Sequence, residues 1–355
     1  MRYFPFKVLT FSLILVCSIL ISQVSFAQEH GGEHGEEGKF DISQMIMHHV
    51  SDAHQWHFFT IGHKPISLYL PVILYSPDRN LEVFSSKNFY GESEHPEHEY
   101  NGYKIDAHEH IISTEGRKVY DFSITKNVAS LFVSVALLLF VFFRVASGYK
   151  RNHGKAPSGA QSFFEPVIIF VRDEIAKSNI GPKYERYLPY LLTVFFFIWF
   201  NNLLGLTPGS ANLSGNIAVT MVLALITFLI TQFSANKHYW IHIFNTPGVP
   251  KALLPIMVPV EFIGIFTKPF SLMVRLFANI TAGHIIILSL IGIIFVFKSI
   301  MVGPLVVVFS IFMNFVELLV ATLQAYIFTL FSAMYIGNAV VEDHHPEDDR
   351  EHLLG

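Results

Sequence analysis

The sequence predicts an all-α polytopic membrane protein with about five crossing helices, the last two long and steeply tilted, and a small β-rich module ahead of them. Three observations carry this reading. Of the 355 residues, 52% are hydrophobic and only 15% charged, and the mean hydropathy is +0.44, well above a soluble domain. Several apolar runs exceed the roughly 20 residues that a helix needs to cross a bilayer. Between Gln28 and Asn127, by contrast, short aromatic and β-branched runs alternate with turn residues.

Residues 1–27 have the form of a secretory signal. Arg2 and Lys7 give a basic start, LTFSLILVCSILI an apolar segment, and Ser25-Phe26-Ala27 a small-residue cleavage site. Residues 28–127 are then an exported, His-rich and β-rich segment. HGGEHGEEG is too polar and Gly-rich to bury a core. After it, WHFFTI, ISLYLPVILY, LEVFSS, YNGYKID, HIIST and VYDFSIT read as strands between turns.

The membrane domain covers residues 128–341. Val128–Ser147 is the first span, with Arg144 able to snorkel at its end. Lys150, Arg151, Lys155, Arg172, Lys177, Lys183 and Arg186 mark the next loop as cytoplasmic. Within it, FFEPVIIFVRDEIAKS is amphipathic and suited to the interface. Spans near Leu188–Leu206 and Ile217–Phe233 are joined by TPGSANLSGN, which holds no Lys or Arg and is assigned outside. KHYWIHIF suits an interfacial aromatic belt. Residues 342–355 form an acidic cytoplasmic tail, so the N-terminus is external.

Pro255–Phe297 and Met301–Val341 each cover about 40 residues, roughly 60 Å as helix, twice the hydrocarbon thickness. Neither has a polar turn cluster at its middle, which favours one long tilted helix per block over a hairpin. Pro269 would interrupt the backbone bonding of the first, and protein neighbours must then satisfy it.

These two blocks hold the polar groups that need explaining. On an ideal helix Glu261, Lys268, Ser271, Asn279 and Ala282 all fall within about 40° of Arg275. His284 falls on the opposite face. An arginine at membrane depth costs roughly 2.5–3.5 kcal/mol on insertion scales. It cannot release its proton, but it can hold a nearby carboxylate ionised. In the second block Asn314, Glu317, Ala321, Gln324 and Phe328 share a face. A titratable Glu and a His at membrane depth, here Glu317 and His284, are the usual parts of a proton path, the alternative being an interhelical hydrogen bond that only glues helices together. The bland alternative is an ion pair, with Glu317 the obvious partner of Arg275, that only fixes helix packing. Ala278, Ala282 and Gly283 would let a neighbouring helix or water approach closely.

A competing signal is the run of His30, His34, His48, His49, His54, His57, His63, His95, His98, His108 and His110 before the first span. It raises the alternative of a zinc-type secondary transporter with an external collector. The spacing matches no closed four-ligand site, however, and no resident metal or cofactor is expected. Soluble-enzyme motifs are absent: Gly38-Lys39 is followed by Phe40, and no G-x-S-x-G or H-E-x-x-H occurs. Neither nucleotide nor nucleic acid is an expected ligand.

SLMVRLFANITAGH (271–284) with TLQAYIF (322–328) resembles subunit a of the F-type ATP synthase membrane sector. IMHHV (46–50), DFSITKNVASLFVSVALLLFVFFR (121–144), NNLLGLTP (201–208) and VPVEFIGIFTKPFS (258–271) extend the likeness. The resemblance implies a proton-translocating stator channel in a bacterial inner membrane, N-terminus periplasmic and C-terminus cytoplasmic. Its implied partners are a ring of c subunits, b-type peripheral stalk subunits and the rest of the complex. It places the family's essential arginine at Arg275, with Asn279 and Gln324 near it. Glu261 and Lys268 fall towards the cytoplasmic half-channel, and His284 with Glu317 at the outer one, where some members carry the acid and imidazole in exchanged positions. Residues 51–116 are an insertion relative to short members.

Overall fold

In the computed structural model, residues 51–340 are described apart from 62–63, 92–95, 97, 107–108, 152–154, 208–210, 245–249, 251–252 and 298–301. The expected signal segment and acidic tail lie outside the described residues. Among the described residues, five helices are long and apolar enough to cross a membrane: Lys126–Arg151, Ala160–Gly205, Ile217–Ser234, Leu254–Ile293 and Gly303–Val340. The chain packs as two units. One holds the N-terminal module with residues 200–216 and 279–322, and the other holds 137–199, 217–278 and 323 onward.

In the first unit, seven short strands form three antiparallel sheets. β1 (Gln55–Ile61) pairs with β2 (Lys64–Tyr69), and β3 (Pro71–Ser76) lies between β4 (Asn80–Ser85) and β7 (Tyr120–Asp121). β5 (Tyr103–Ile105) pairs with β6 (Ile111–Ser113). The single run ISLYLPVILY is thus two strands. At Leu70 between them the backbone N–H turns to the His54 carbonyl at 3.3 Å and the Ser86 hydroxyl at 3.0 Å. The β3–β4 hairpin closes with Ser76 opposite Asn80, whose φ of 59° supplies the left-handed residue after a three-residue turn. Alternation in β3 sends Val72 and Leu74 inward onto Tyr103, Ile105, Ile111 and the short helix α1 (Lys87–Tyr90).

Three polar contacts organise the module. The buried Tyr90 hydroxyl donates to Glu109 Oε2 at 3.0 Å. Burial first, and then the Glu109 charge, push that phenol well above its ordinary pKa. His54 Nε2 meets Asp121 Oδ2 at 3.3 Å. The module is fastened to the first span, α2 (Lys126–Arg151), through Asp52. Its two carboxylate oxygens accept from the Asn127 N–H and the Thr125 hydroxyl, both at 2.9 Å. A carboxylate at a helix N-terminus satisfies orphan donors and suits the helix dipole.

The second unit is helical. α3 (Ala160–Phe170) continues through a π-helical stretch, Val171–Lys177, and a last turn to Ile180. Val171, Ile175, Ala176 and Ile180 are buried; their spacing shows the amphipathic segment turning one face into the protein. Gly181, with φ 70°, and Pro182 end it. One 3-10 turn then leads into α4 (Tyr184–Gly205), so the second expected span is the later part of a longer helical run. α5 (Ile217–Ser234) and the aromatic α6 (Lys237–Phe244) follow.

α7 (Leu254–Phe297) and α8 (Val302–Val340) are continuous helices of 44 and 39 residues, not hairpins. α7 runs through Pro259 and Pro269. In the second unit α8 buries a stripe of small residues, including Ala325, Ser332, Ala333 and Ala339. Ser332 Oγ lies 3.4 Å from Thr227 on α5, which also meets the Tyr190 hydroxyl at 2.7 Å. A Cβ at Gly337 would collide with the Asn179 carbonyl, so only glycine permits that close approach.

The Asp121 pair makes the module acid-sensitive. Partial burial alone would raise the Asp121 pKa, but hydrogen bonds from His54 and Ser123 outweigh it and leave the net shift downward from 3.8. A depressed folded pKa contributes stability above the unfolded value that is lost as pH falls through the folded one. Pulse proteolysis of the full chain in detergent should show the module loosening below about pH 4. Asp121→Asn should flatten that acid limb while lowering stability at pH 7.

Candidate functional site

Helix geometry places two polar groupings on α7, and their surroundings differ sharply. Arg275 is partly buried. Its Nη2 reaches Ser271 Oγ, one turn earlier, at a long 3.5 Å, and its guanidinium lies 4.6 Å from the centroid of the Phe331 ring on α8. It also stands within electrostatic reach of Tyr335. Among the described residues it forms no ion pair with a carboxylate. Within about two turns of it, exposed residues on its face include Ser271, Asn279 and Ala282, small or polar, so another helix could come close to the charge.

The ion pair of Arg275 with Glu317, weighed as a packing device, is not what forms. Glu317 Oε1 instead meets His284 Nδ1 at 2.9 Å, with the Glu317 side chain 5% exposed and that of His284 23%. The remaining oxygen of Glu317, Oε2, is buried without a hydrogen-bond partner among the described residues. The pair has one hydrogen bond and two ways to fill it. Nδ1–H can donate to a carboxylate, or a protonated carboxyl can donate to a neutral Nδ1. A single proton shared this way can pass between the two groups without either leaving its rotamer.

Gly283 makes room for this arrangement. A Cβ there would lie 3.2 Å from Glu317 Oε1 and 3.4 Å from its Cγ, tighter than ordinary contact. Further buried polar groups of the same unit are Thr281 Oγ1, Ser310 Oγ and Asn202 Oδ1, each without a partner among the described residues. Asn202 Nδ2 donates to the Ala321 carbonyl at 2.9 Å. Asn314 is buried and spends its amide on the Ser310 carbonyl at 2.8 Å.

The other expected site residues are spread along the two helices. Gln324 is buried on α8, seven residues before Phe331 and therefore on the same face. Lys268 is partly buried, with Nζ 5.8 Å from the Tyr335 ring centroid. Glu261 is partly buried. Phe331 and Asn202 were not singled out from the sequence. Phe331 could have been found from its seven-residue spacing to Gln324, and Asn202 as an amide inside an apolar span. Among the described residues no three His, Cys, Asp or Glu side chains converge as metal ligands.

Five apolar helices among the described residues, a permanent charge within one of them and a part-buried acid–imidazole pair define a polytopic membrane protein of the ion-translocating class. The chain belongs to the ATP synthase A chain family, which matches residues 128–337. Residues 45–130 match a separate domain of unknown function. The ATP synthase subunit a of Chloroherpeton thalassium is 50% identical over 237 residues, which is 66% of this chain and 71% of that protein. The subunit a of Chlorobium phaeobacteroides strain BS1 is 41% identical over 325 residues, 89% of this chain and 81% of its own length. That of an Anaeromyxobacter species is 44% identical over 262 residues, 69% and 62% respectively. At 89% coverage the N-terminal module has a counterpart in the second relative, so the segment that is an insertion against short members is shared with longer ones. The metal-transporter alternative finds no support in these comparisons.

A substitution at Gly283 should isolate the geometry of the acid–imidazole pair. Gly283→Ala must displace Glu317 by a few tenths of an ångström, and Gly283→Leu by far more. Overpacking of this kind costs about 1–3 kcal/mol. Proton pumping in reconstituted vesicles should slow modestly for Gly283→Ala and collapse for Gly283→Leu. Gly283→Ala should lower the melting temperature of the assembled complex by only a few degrees.

Proposed function

We propose that the chain is the stator subunit through which protons cross the membrane in a rotary ATP synthase. Its partners in this reading are a ring of c subunits carrying one membrane carboxylate each, and b-type peripheral stalk subunits. It sits in the bacterial inner membrane with its β module periplasmic and its C-terminus cytoplasmic. The observation that carries the reading is the Arg275 guanidinium, charged at any working pH, with no carboxylate partner among the described residues. Small and polar residues on the same face leave room for a partner from another chain.

The chemistry follows from the two groupings. A ring carboxyl group arriving protonated from the apolar membrane meets the Arg275 charge. An opposite charge within about 4–6 Å lowers a carboxyl pKa by roughly 1–3 units, which releases the proton. The ring site refills on the far side of the arginine. A proton cannot pass directly from one side to the other, since the fixed positive charge repels it. His284 and Glu317 form the relay of the outer half-channel, while Glu261 and Lys268 lie on the cytoplasmic one. Asn279 and Gln324 flank the arginine and supply neutral hydrogen-bonding groups as the ring carboxylate passes.

Two substitutions test this. In inverted vesicles carrying the whole complex, Arg275→Gln should abolish ATP-driven proton pumping and open a passive proton leak. Coupled pumping in that variant would sink the reading. Glu317→Gln keeps a hydrogen-bonding group beside His284 and removes the proton carrier. It should slow pumping roughly tenfold or more while the complex still assembles.

A further inference from the structure

A cavity of about 20 Å³ opens between α5, α6, α7 and α8, within the second unit. Its polar lining is Thr227, Thr231, Gln232, Tyr239, Lys268 and Tyr335. A water molecule needs about 10–15 Å³ and two to four polar partners, and both conditions are met here. Gln232 Oε1 is buried and accepts no hydrogen bond from the described residues. Its amide nitrogen donates to the Tyr239 hydroxyl at 3.4 Å, which leaves the carbonyl as the open acceptor. The Thr231 hydroxyl donates to the Thr227 carbonyl at 2.8 Å and so keeps its own lone pairs available.

α7 contributes more than a wall. Ile265 and Pro269 both border the cavity, and Pro269 has no N–H to offer the Ile265 carbonyl four residues earlier. On the other side stand the Lys268 ammonium and the Tyr335 hydroxyl, with Nζ 5.8 Å from that ring. Tyr335 lies within electrostatic reach of Arg275. Donors and acceptors from four helices therefore converge on a space of water size, next to the residue that feels the central charge.

We propose that this cavity is a hydration site on the cytoplasmic proton path, and that Gln232 on α5 is the positioning residue that holds its water. The proposal rests on the stator reading and adds to it a helix that takes no part in the arginine surface. The water accepts from Lys268 or Tyr239 and donates to Gln232 Oε1, which orients it for proton hand-over towards the ring. A neutral amide suits this role because it fixes the water without binding the proton itself.

The test uses inverted vesicles of the whole complex, whose cytoplasmic face is outward. Gln232→Leu should slow ATP-driven pumping about tenfold, the effect of one lost hydrogen bond of ordinary strength in the path. Gln232→Asn, which keeps a neutral amide acceptor on a shorter stem, should restore part of the rate. The defect of Gln232→Leu should widen as external pH rises, since proton delivery then limits turnover, whereas a packing defect would act equally at every pH. With Cys17 replaced by Ser, Gln232→Cys should react with a membrane-impermeant thiol reagent added outside, and the reaction should block pumping. Wild-type pumping in Gln232→Leu, a pH-independent loss, or a thiol reactive only after denaturation overturns the proposal. Arg275→Gln in parallel separates the two ideas. Loss of pumping there with normal Gln232→Leu removes only the hydration site, and coupled pumping there removes the stator reading.

Discussion

A charge that cannot be discharged sets the terms for the membrane domain. The guanidinium of Arg275 keeps its proton at any working pH, so its desolvation cost must be met by contacts. Those within the chain are modest. The Phe331 ring at 4.6 Å offers a cation–π attraction of about 0.5–2 kcal/mol, and the Ser271 hydroxyl offers one long hydrogen bond. Neither neutralises the charge as a carboxylate would. In the proposed function the remainder comes from a mobile anion of another chain, in keeping with the small or polar, exposed Ser271, Asn279 and Ala282 around it.

The same constraint accounts for the separate placement of Glu317. Had it paired with Arg275, its pKa would be driven down and its proton lost for good. Held instead by His284 at 2.9 Å, with its second oxygen unpartnered among the described residues, it shares a hydrogen bond that either group can donate. Gly283 is the sacrifice that brings the acid this close, since any side chain there would press on it. The N-terminal module meets its electrostatic demands mainly through a few specific pairs. Tyr90 with Glu109, His54 with Asp121, and Asp52 on the start of α2 leave it fastened to the first span rather than tethered loosely.

Much of this was legible in the residues because membranes impose simple rules. Apolar length gave the spans, and the absence of a polar turn in two 40-residue blocks gave two unbroken helices. The 3.6-residue period put Arg275 and His284 on opposite faces, and the Glu317 stripe pointed to the titratable pair. Partner choice was less legible. Whether Glu317 meets Arg275 or His284 depends on how two helices are set against each other, which no single-helix projection contains. The boundary of the second span also moved, because an amphipathic stretch at an interface and the start of a longer helical run share one pattern. The split of ISLYLPVILY at Leu70 needed the tertiary partners His54 and Ser86. The aromatic platform under the arginine was hidden by its ordinariness, as one Phe among 35.

The two polar groupings could not exchange chemistries. A histidine at position 275 would have an ordinary pKa near 6.5, so it would lose its charge in the working range and could not serve as the proposed barrier. An arginine at position 284 would hold Glu317 permanently ionised and stop the proposed relay. One helix must therefore carry a fixed charge and a titratable ring, on faces turned apart so that neither perturbs the other. A third kind of group is then needed where protons travel as hydrated species, one that orients water but neither holds nor repels the proton. Gln232 has that chemistry, and it sits on α5, leaving the α7 stripe to the groups that must carry charge.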